Sequence, residues 1–287
     1  RELKLKKGKP FNKFQASRSM ERLYNLGYFE DVNMKLLPGK ENEHNVIIEI
    51  DVIEQKTGII TVGAGYSDSD GTVGIVELGD TNFRGTGDKV NFHWEFGGAG
   101  DGKNYTISYT HPWINDNGDS LGASIFNRIY EYDDYDAKGH EIAEYDKRRK
   151  GWNLTWGHVT DEYRTNYFNF ESSKESYDNH DGFEWQGHAK DKFARAEEYG
   201  YTDTVSPSGE KILAADNMAA DWKRAIWDNF GTTNSFTFTH VFDNRDNYFN
   251  ASKGHRLSFA AQWGGHGLGG DYDFYKFTAE GRFYKNL

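Results

Sequence analysis

Cysteine is absent from the 287 residues, which excludes a disulfide framework and any cysteine-ligated zinc or iron–sulfur site. No run of 18 apolar residues occurs, so the chain has no transmembrane helix. Positive charge is in deficit: 34 Lys and Arg against 45 Asp and Glu leave a net charge of −11, which argues against a general nucleic-acid binder. No secretory leader opens the chain, which begins Arg1-Glu2; we expect a mature or truncated chain. Hydrophobic residues make up only 36%, low for a globular core. What is abundant is aromatic: 8 Trp, 18 Tyr and 20 Phe, with 32 Gly. Disordered chains are poor in aromatics, so the low hydrophobicity does not signal disorder. The membrane option that survives is a β-barrel, which needs alternation and no continuous apolar run.

Residues 1–55 read differently from the rest. Phe14, Ser17, Met20, Leu23, Tyr24 and Leu26 follow helical spacing over about 12–26, and Gly27 is placed to end that helix. Tyr28, Phe29, Val32, Met34 and Leu36 suggest a strand to about 37, and Pro38-Gly39 with the polar run to Asn45 makes a turn. Val46, Ile48, Ile50 and Val52 then mark a second strand. One helix on a hairpin is a thin core, so part of this domain is expected to precede Arg1 or to be missing.

From residue 56 the chain reads as strands and turns. Val90, Phe92, Trp94 and Phe96 alternate without error against Lys89, Asn91, His93 and Glu95. Tyr105, Ile107 and Tyr109 repeat the pattern, as do Leu257, Phe259, Ala261 and Trp263, and then Phe277, Ala279, Gly281 and Phe283. Weaker candidates lie at about 57–66, 72–80, 120–132, 145–157, 163–173 and 235–242, for ten strands in all. Such a pattern builds either a soluble antiparallel barrel or sandwich, or a transmembrane barrel with a polar lumen. Three features favour the membrane. Tyr66, Tyr130, Tyr132, Trp263, Phe283 and Tyr284 sit near strand ends, as interfacial girdles do. The strand lengths suit the roughly 9–11 residues needed to cross a bilayer. The connections after odd strands (67–70, 97–102, 133–144, 172–234, 264–273) are on average longer than those after even strands (82–88, 112–119, 157–162, 243–254). The longest, 172–234, is too long to lack structure; 212–230 has an amphipathic helical pattern, and 185–196 suits a strand extension or a short helix.

No nucleophile motif, phosphate loop or zinc-protease helix appears. Ten His are dispersed, and those beside strands (His93, His111, His158, His240 and His255) read as lumenal, interfacial or turn residues with no metal site among them. Asp68, Asp70 and Gly71 resemble a fragment of a calcium loop without its full spacing, and read as a polar turn. Asp243, Arg245 and Asp246 form a denser cluster, with Arg245 between two carboxylates as a structural turn clamp. No cofactor is called for, and no Ser/His/acid set supports an outer-membrane barrel enzyme. A passive porin leaves the first domain unexplained.

Several segments together carry a resemblance. The stretch from Phe11-Asn12 through Leu23-Tyr24-Asn25-Leu26-Gly27-Tyr28-Phe29-Glu30-Asp31-Val32 resembles the final POTRA domain of the BamA-like outer-membrane assembly family. Ile53-Glu54-Gln55-Lys56-Thr57-Gly58 resembles the passage into its barrel, Gly63-Ala64-Gly65-Tyr66-Ser67-Asp68-Ser69-Asp70-Gly71 its first hairpin, and Asn82-Phe83-Arg84-Gly85-Thr86-Gly87 the next turn. Asp243-Asn244-Arg245-Asp246-Asn247 with Gly254, and then Gly267-Leu268-Gly269-Gly270-Asp271, resemble its mid-barrel segment.

The resemblance implies a membrane all-β fold of Gram-negative bacteria. Residues 1–55 would be the C-terminal part of the last, α+β POTRA domain in the periplasm. Residues 56–287 would be the N-terminal portion of an antiparallel transmembrane β-barrel, about the first ten of roughly sixteen strands, with a long extracellular loop at about 172–234. It implies a non-enzymatic insertase that folds β-barrel proteins into the outer membrane. The lateral-gate strand would be Thr57, Gly58, Ile59, Ile60, Thr61, Val62, Gly63, Ala64, Gly65 and Tyr66, its glycines offering little packing at an edge that opens. The implied partners are unfolded outer-membrane β-barrel clients, periplasmic chaperones, accessory assembly lipoproteins and outer-membrane lipid, with no nucleic acid. A translocation and assembly module subunit and a two-partner secretion pore are the related alternatives.

Overall fold

In a computed structural model of the chain, the structure describes residues 2–39, 45–67, 71–98 and 104–285, without the side chains of 67 and 178–182. The calcium-like pair Asp68 and Asp70 lies outside the described residues. Helix α1 (Lys13–Asn25) starts where the Asn12 carboxamide accepts the N–H groups of Phe14 and Gln15 at 2.9 and 3.1 Å. It ends at Gly27, whose φ of 71° is the left-handed turn that glycine permits. Strands β1 (Phe29–Pro38) and β2 (Val46–Glu54) pair antiparallel, Val32 opposite Val52, and α1 packs on β1. Only Ala16, Ser19 and Val32 of this unit are buried among the described residues, which is the thin core that the sequence led us to expect.

The remaining large sheet consists of β3 (Gly58–Ser67), β4 (Gly71–Phe83), β5 (Asp88–Gly97), β6 (Asn104–His111), β7 (Ser120–Tyr135), β8 (Glu141–Val159), β9 (Arg164–Trp185), and, after an insertion, β12 (Thr232–Asp243), β13 (Gly254–Gly264) and β14 (Phe274–Tyr284). Each pairs antiparallel with its neighbour in the chain, β9 pairing with β12 across the insertion, so β3 and β14 are the outermost strands. The insertion holds α2 (Gly187–Phe193), a 3-10 turn, the two-residue strands β10 (Thr204–Val205) and β11 (Lys211–Ile212), and α3 (Ala214–Trp227).

Register decides between the soluble and the membrane reading. Trp94 lies opposite Tyr105, and Phe92 opposite Ile107. Ile107 faces Ile125, Ile125 faces Trp152, Trp156 faces Phe168, and Phe168 faces Phe238. Phe236 faces Trp263, and Ala261 faces Phe277. The apolar sets therefore join into one belt on one face of the sheet. That belt stays half open, with Trp94 37% and Ile125 51% exposed. A soluble protein rarely leaves so large an apolar patch in water. The opposite face is polar and internally bonded, with Asn91 donating to Glu77, Asn153 to Ser124 and Asn169 to Thr155. Hydrocarbon on one side and an aqueous lumen on the other satisfy both faces, as in a partial transmembrane barrel.

Two expected loops contract. The loop expected at 133–144 contracts to a turn over 136–140, because β7 reaches Tyr135 and β8 starts at Glu141. The loop expected at 172–234 contracts to 186–231, because β9 continues to Trp185 and β12 begins at Thr232. At about 3.3 Å per residue, the 19 residues of β8, paired with β9 along most of their length, span roughly 60 Å, well beyond a hydrocarbon layer of about 30 Å. Past the membrane, the aromatic cluster of Tyr145, Phe183, Tyr177 and Phe230 holds these strands together. Upon them sits a dry core of Ala189, Phe193, Ala196, Ala214 and Met218, each 8% exposed or less. The helix expected at 212–230 is α3, and 185–196 holds the short helix α2.

Candidate functional site

The edge strand β3 begins one residue later than the sequence suggested. Thr57 lies just before it, its hydroxyl donating to Asp80 at 2.8 Å and its carbonyl accepting from the Thr81 N–H at 3.3 Å. From Gly58 to Ser67 the strand pairs with β4 in unbroken register, Gly63 opposite Ile75 and Gly65 opposite Val73. Among the described residues β4 is its only partner. In an antiparallel ladder every second residue of such a strand turns its N–H and C=O away from the neighbour. Ile60 and Val62 are 75% and 72% exposed, and Ile59 and Tyr66 are also open. A Cβ added at Gly63 or Gly65 meets nothing within 4 Å, so these glycines, two residues apart and on the same side of the strand, leave blank surface on one face of the edge. Gly74 on β4 is different: it sits directly opposite Phe96, whose ring fills the space that a Cβ would need. Glycine there seats an aromatic ring and does not thin the wall.

A second feature lies at the opposite end of the strands from the insertion, where α1 and the residues just after it meet three turns. Arg18 donates to Glu162 in the β8–β9 turn and to Glu21 at 2.5 Å, and lies 4.8 Å from the centre of the Tyr163 ring. Lys4 approaches Glu162 at 3.8 Å. Burial disfavours both charged forms, but the mutual hydrogen bond outweighs it: the Arg18 pKa is raised and that of Glu162 lowered. In the β12–β13 turn the Tyr248 N–H donates to the Asn25 carboxamide at 3.0 Å, and the Phe249 ring lies where a side chain on Gly27 would go. In the β4–β5 turn the Gly87 carbonyl accepts from Tyr28 at 3.4 Å.

The charged cluster of the β12–β13 turn shapes this contact. Arg245 grips Asp243 with two parallel hydrogen bonds, Nε to Oδ1 at 2.9 Å and Nη2 to Oδ2 at 2.7 Å, and donates to the Tyr248 carbonyl at 3.2 Å. Asp246 does not share that guanidinium. It accepts instead from the Ser252 hydroxyl at 2.5 Å and from the N–H groups of Ser252 and Lys253, which holds its carboxyl well below the usual range. Arg245 is thus a clamp on one carboxylate, not two. Together the two acids fix the loop that presents Tyr248 and Phe249 to the first domain. Glu162, Tyr248 and Phe249 were not legible as site residues, since nothing in their spacing relates them to α1.

The expected His residues remain scattered on their strands: His93 on β5, His158 on β8, His240 on β12 and His255 on β13, with His111 closing β6. His158 and Asn115, with the Val159 N–H, hydrogen-bond Asp119, which is nearly buried at the start of β7. Burial would raise that carboxyl, but these bonds prevail and hold it at about 2.

Two family models cover most of the chain: the Omp85 superfamily domain over residues 82–287, and the POTRA "surface antigen variable number repeat" over residues 1–55. A similar protein is the outer membrane protein assembly factor BamA of Neisseria meningitidis serogroup B, 27% identical over 134 residues, or 46% of this chain and 16% of that protein. The fold is similar to the crystal structure of BamA from Haemophilus ducreyi lacking POTRA domains 1–3, with a TM-score of 0.52 at 19% identity over 93% of this chain and 45% of that one. It is also similar to CdiB from Acinetobacter baumannii, with a TM-score of 0.50 at 13% identity over 98% of this chain and 44% of that one. The chain therefore spans less than half the length of these relatives.

Proposed function

The chain belongs to the Omp85 superfamily, and from that premise we propose that it is a non-enzymatic insertase for outer-membrane β-barrel proteins, with client strands pairing along β3. Its setting is the outer membrane, with the N-terminal domain in the periplasm. The observation that carries the reading is that β3, the first strand of the sheet, pairs with β4 alone among the described residues and carries glycines with open space beside them. An unpaired backbone group facing hydrocarbon costs several kcal/mol, so an open edge in lipid is a strong and sequence-indifferent acceptor for another strand. Main-chain bonds supply the affinity, and the blank surface at Gly63 and Gly65 keeps the edge from selecting among client side chains.

In this reading residues 1–55 are the C-terminal part of the last POTRA domain, 56–287 are the N-terminal portion of the barrel, and the insertion at 186–231 faces outward. The junction through Arg18, Asn25 and Gly27 holds that domain under the barrel mouth, where clients delivered by periplasmic chaperones and accessory lipoproteins would arrive. Photo-crosslinkers at residues 59–65 in the full-length protein are expected to trap nascent barrel proteins. Clients trapped only elsewhere would overturn the edge mechanism. Depletion should lower many outer-membrane barrels together; loss of a single secreted passenger would assign the chain to two-partner secretion instead.

A further inference from the structure

The turn between β7 and β8 carries a cluster that the insertase reading does not use. Asp136 opens this turn, and His140 closes it. The Lys138 and His140 N–H groups donate to Asp136 Oδ1 at 2.8 and 3.0 Å, which locks the carboxylate and aims Oδ2 at the insertion. Three nitrogens converge on that one oxygen: His140 Nδ1 at 3.2 Å, His188 Nε2 of helix α2 at 3.3 Å, and Lys192 Nζ at 3.2 Å. The two imidazoles are stacked, with ring centres 4.2 Å apart.

A carboxylate oxygen has about two lone-pair directions, so it cannot serve three nitrogens at once. An ion coordinated by that oxygen and by an imidazole nitrogen from each ring would replace this crowding with direct bonds. We propose that Asp136, His140 and His188 bind a borderline divalent transition-metal ion of the zinc type, and that this ion fastens the insertion to the β7–β8 turn.

The distances from the carboxylate suit such an ion, and a turn of one of the two stacked rings brings both imidazole lone pairs onto it. Tetrahedral zinc with bonds of about 2.0–2.1 Å places its ligand atoms about 3.3 Å apart, matching the 3.2 and 3.3 Å from the carboxylate oxygen to the two imidazoles. The three ligand atoms all lie within 4.8 Å of one another. Two imidazoles and one carboxylate suit zinc, nickel or copper rather than calcium or magnesium, which take oxygen ligands. The backbone bonds to Oδ1 are the outer partners that orient a ligating carboxylate. Lys192 has somewhere to go once a cation enters, since its ammonium already lies 5.3 Å from the centre of the Trp222 ring. Because His188 comes from α2 and the other two ligands from the hairpin turn, the ion would join segments that are distant in sequence. The site itself does not depend on the insertase reading; only its outward position does.

The test uses the full-length protein in detergent micelles and Zn2+ alone, followed by calorimetry and by limited proteolysis of residues 186–231. Wild type is expected to bind one Zn2+ more than the His140→Ala/His188→Ala variant, and Zn2+ should slow cleavage of the insertion only in wild type. Either single variant should weaken binding by more than the roughly 10–100-fold that follows loss of a supporting partner alone. His266→Ala, at a separate turn, should leave binding unchanged. Should the alanine variants misfold, His140→Gln and His188→Gln serve in their place. Unchanged Zn2+ stoichiometry in the double variant, equal competition by Mg2+ or Ca2+, or Zn2+ protection that survives loss of both imidazoles would each overturn the site.

Discussion

Replacing Glu162 by Gln tests whether the Arg18 contact docks the first domain beneath the barrel. The substitution keeps the shape of the side chain and removes its charge. The Arg18 side chain is 13% exposed and that of Glu162 28%, so the pair lies between the surface and the buried regimes. Exposed ion pairs contribute about 0–1 kcal/mol, and hydrogen bonds to charged groups about 1.5–3 kcal/mol. Arg18 keeps Glu21 as an alternative acceptor, which limits the loss. The expected cost to docking is therefore about 1–2 kcal/mol, or roughly a 5–30-fold shift toward the undocked state. Native-state hydrogen exchange of the α1 amides reads this local opening directly, while the heat-induced gel shift of the barrel should stay at its wild-type temperature. The same contact predicts a pH window. The Glu162 pKa is lowered in the folded protein, so its contribution is complete above the ordinary carboxylate value of about 4.3 and is lost as pH falls through the depressed one. Exchange in α1 that is identical in Glu162→Gln and wild type at neutral pH would refute the docking role.

Gly74→Ala should displace the Phe96 ring and cost about 1–3 kcal/mol, whereas Gly63→Ala, in open space, should stay within about 0.5 kcal/mol; the midpoint of heat-induced unfolding in detergent distinguishes them. Met218→Ala, at 1% exposure, should cost the insertion about 2–5 kcal/mol and accelerate proteolysis within 186–231 without moving the barrel transition. Asp119→Asn removes a carboxylate held at about 2, so wild type should lose an increment of stability as pH falls from about 4 toward 2 that the variant never has. Acid titration of both proteins, followed by tryptophan fluorescence, checks this.

The barrel strands were legible because one physical rule governs them. Lipid on one face and water on the other impose period two, and 89–96 shows it without a break. The rule stops at the membrane boundary. Beyond it, β7, β8 and β9 continue as strands held by Tyr145, Phe183 and Phe230, aromatic pairs between residues up to 85 apart, and no local pattern marks them. The edge glycines Gly63 and Gly65 and the seat glycine Gly74 look alike in sequence, because their difference lies in whether a ring from the next strand fills the space. Arg245 likewise had two acids beside it in the chain. Backbone geometry assigned Asp243 to the guanidinium and Asp246 to the loop amides.

The distribution of packing along the sheet favours opening at one place. At the insertion end, β8 and β9 are tied by long pairing, by aromatic clusters and by a dry core under α2 and α3. At the periplasmic end, the turns are pinned by Asp119, Asp246 and the Arg18 contact. Among the described residues the two outermost strands, β3 and β14, have none of these supports, each with one partner and exposed apolar side chains, and β3 alone adds glycines with no neighbours, Gly63 and Gly65. Local opening follows local stability, and few contacts make for cheap opening. In water such an edge would invite aggregation; in lipid, among proteins that must become barrels, the same unpaired edge is a template. A chain that stiffened β3 with cross-strand packing would gain stability and lose the place where a new strand can be added.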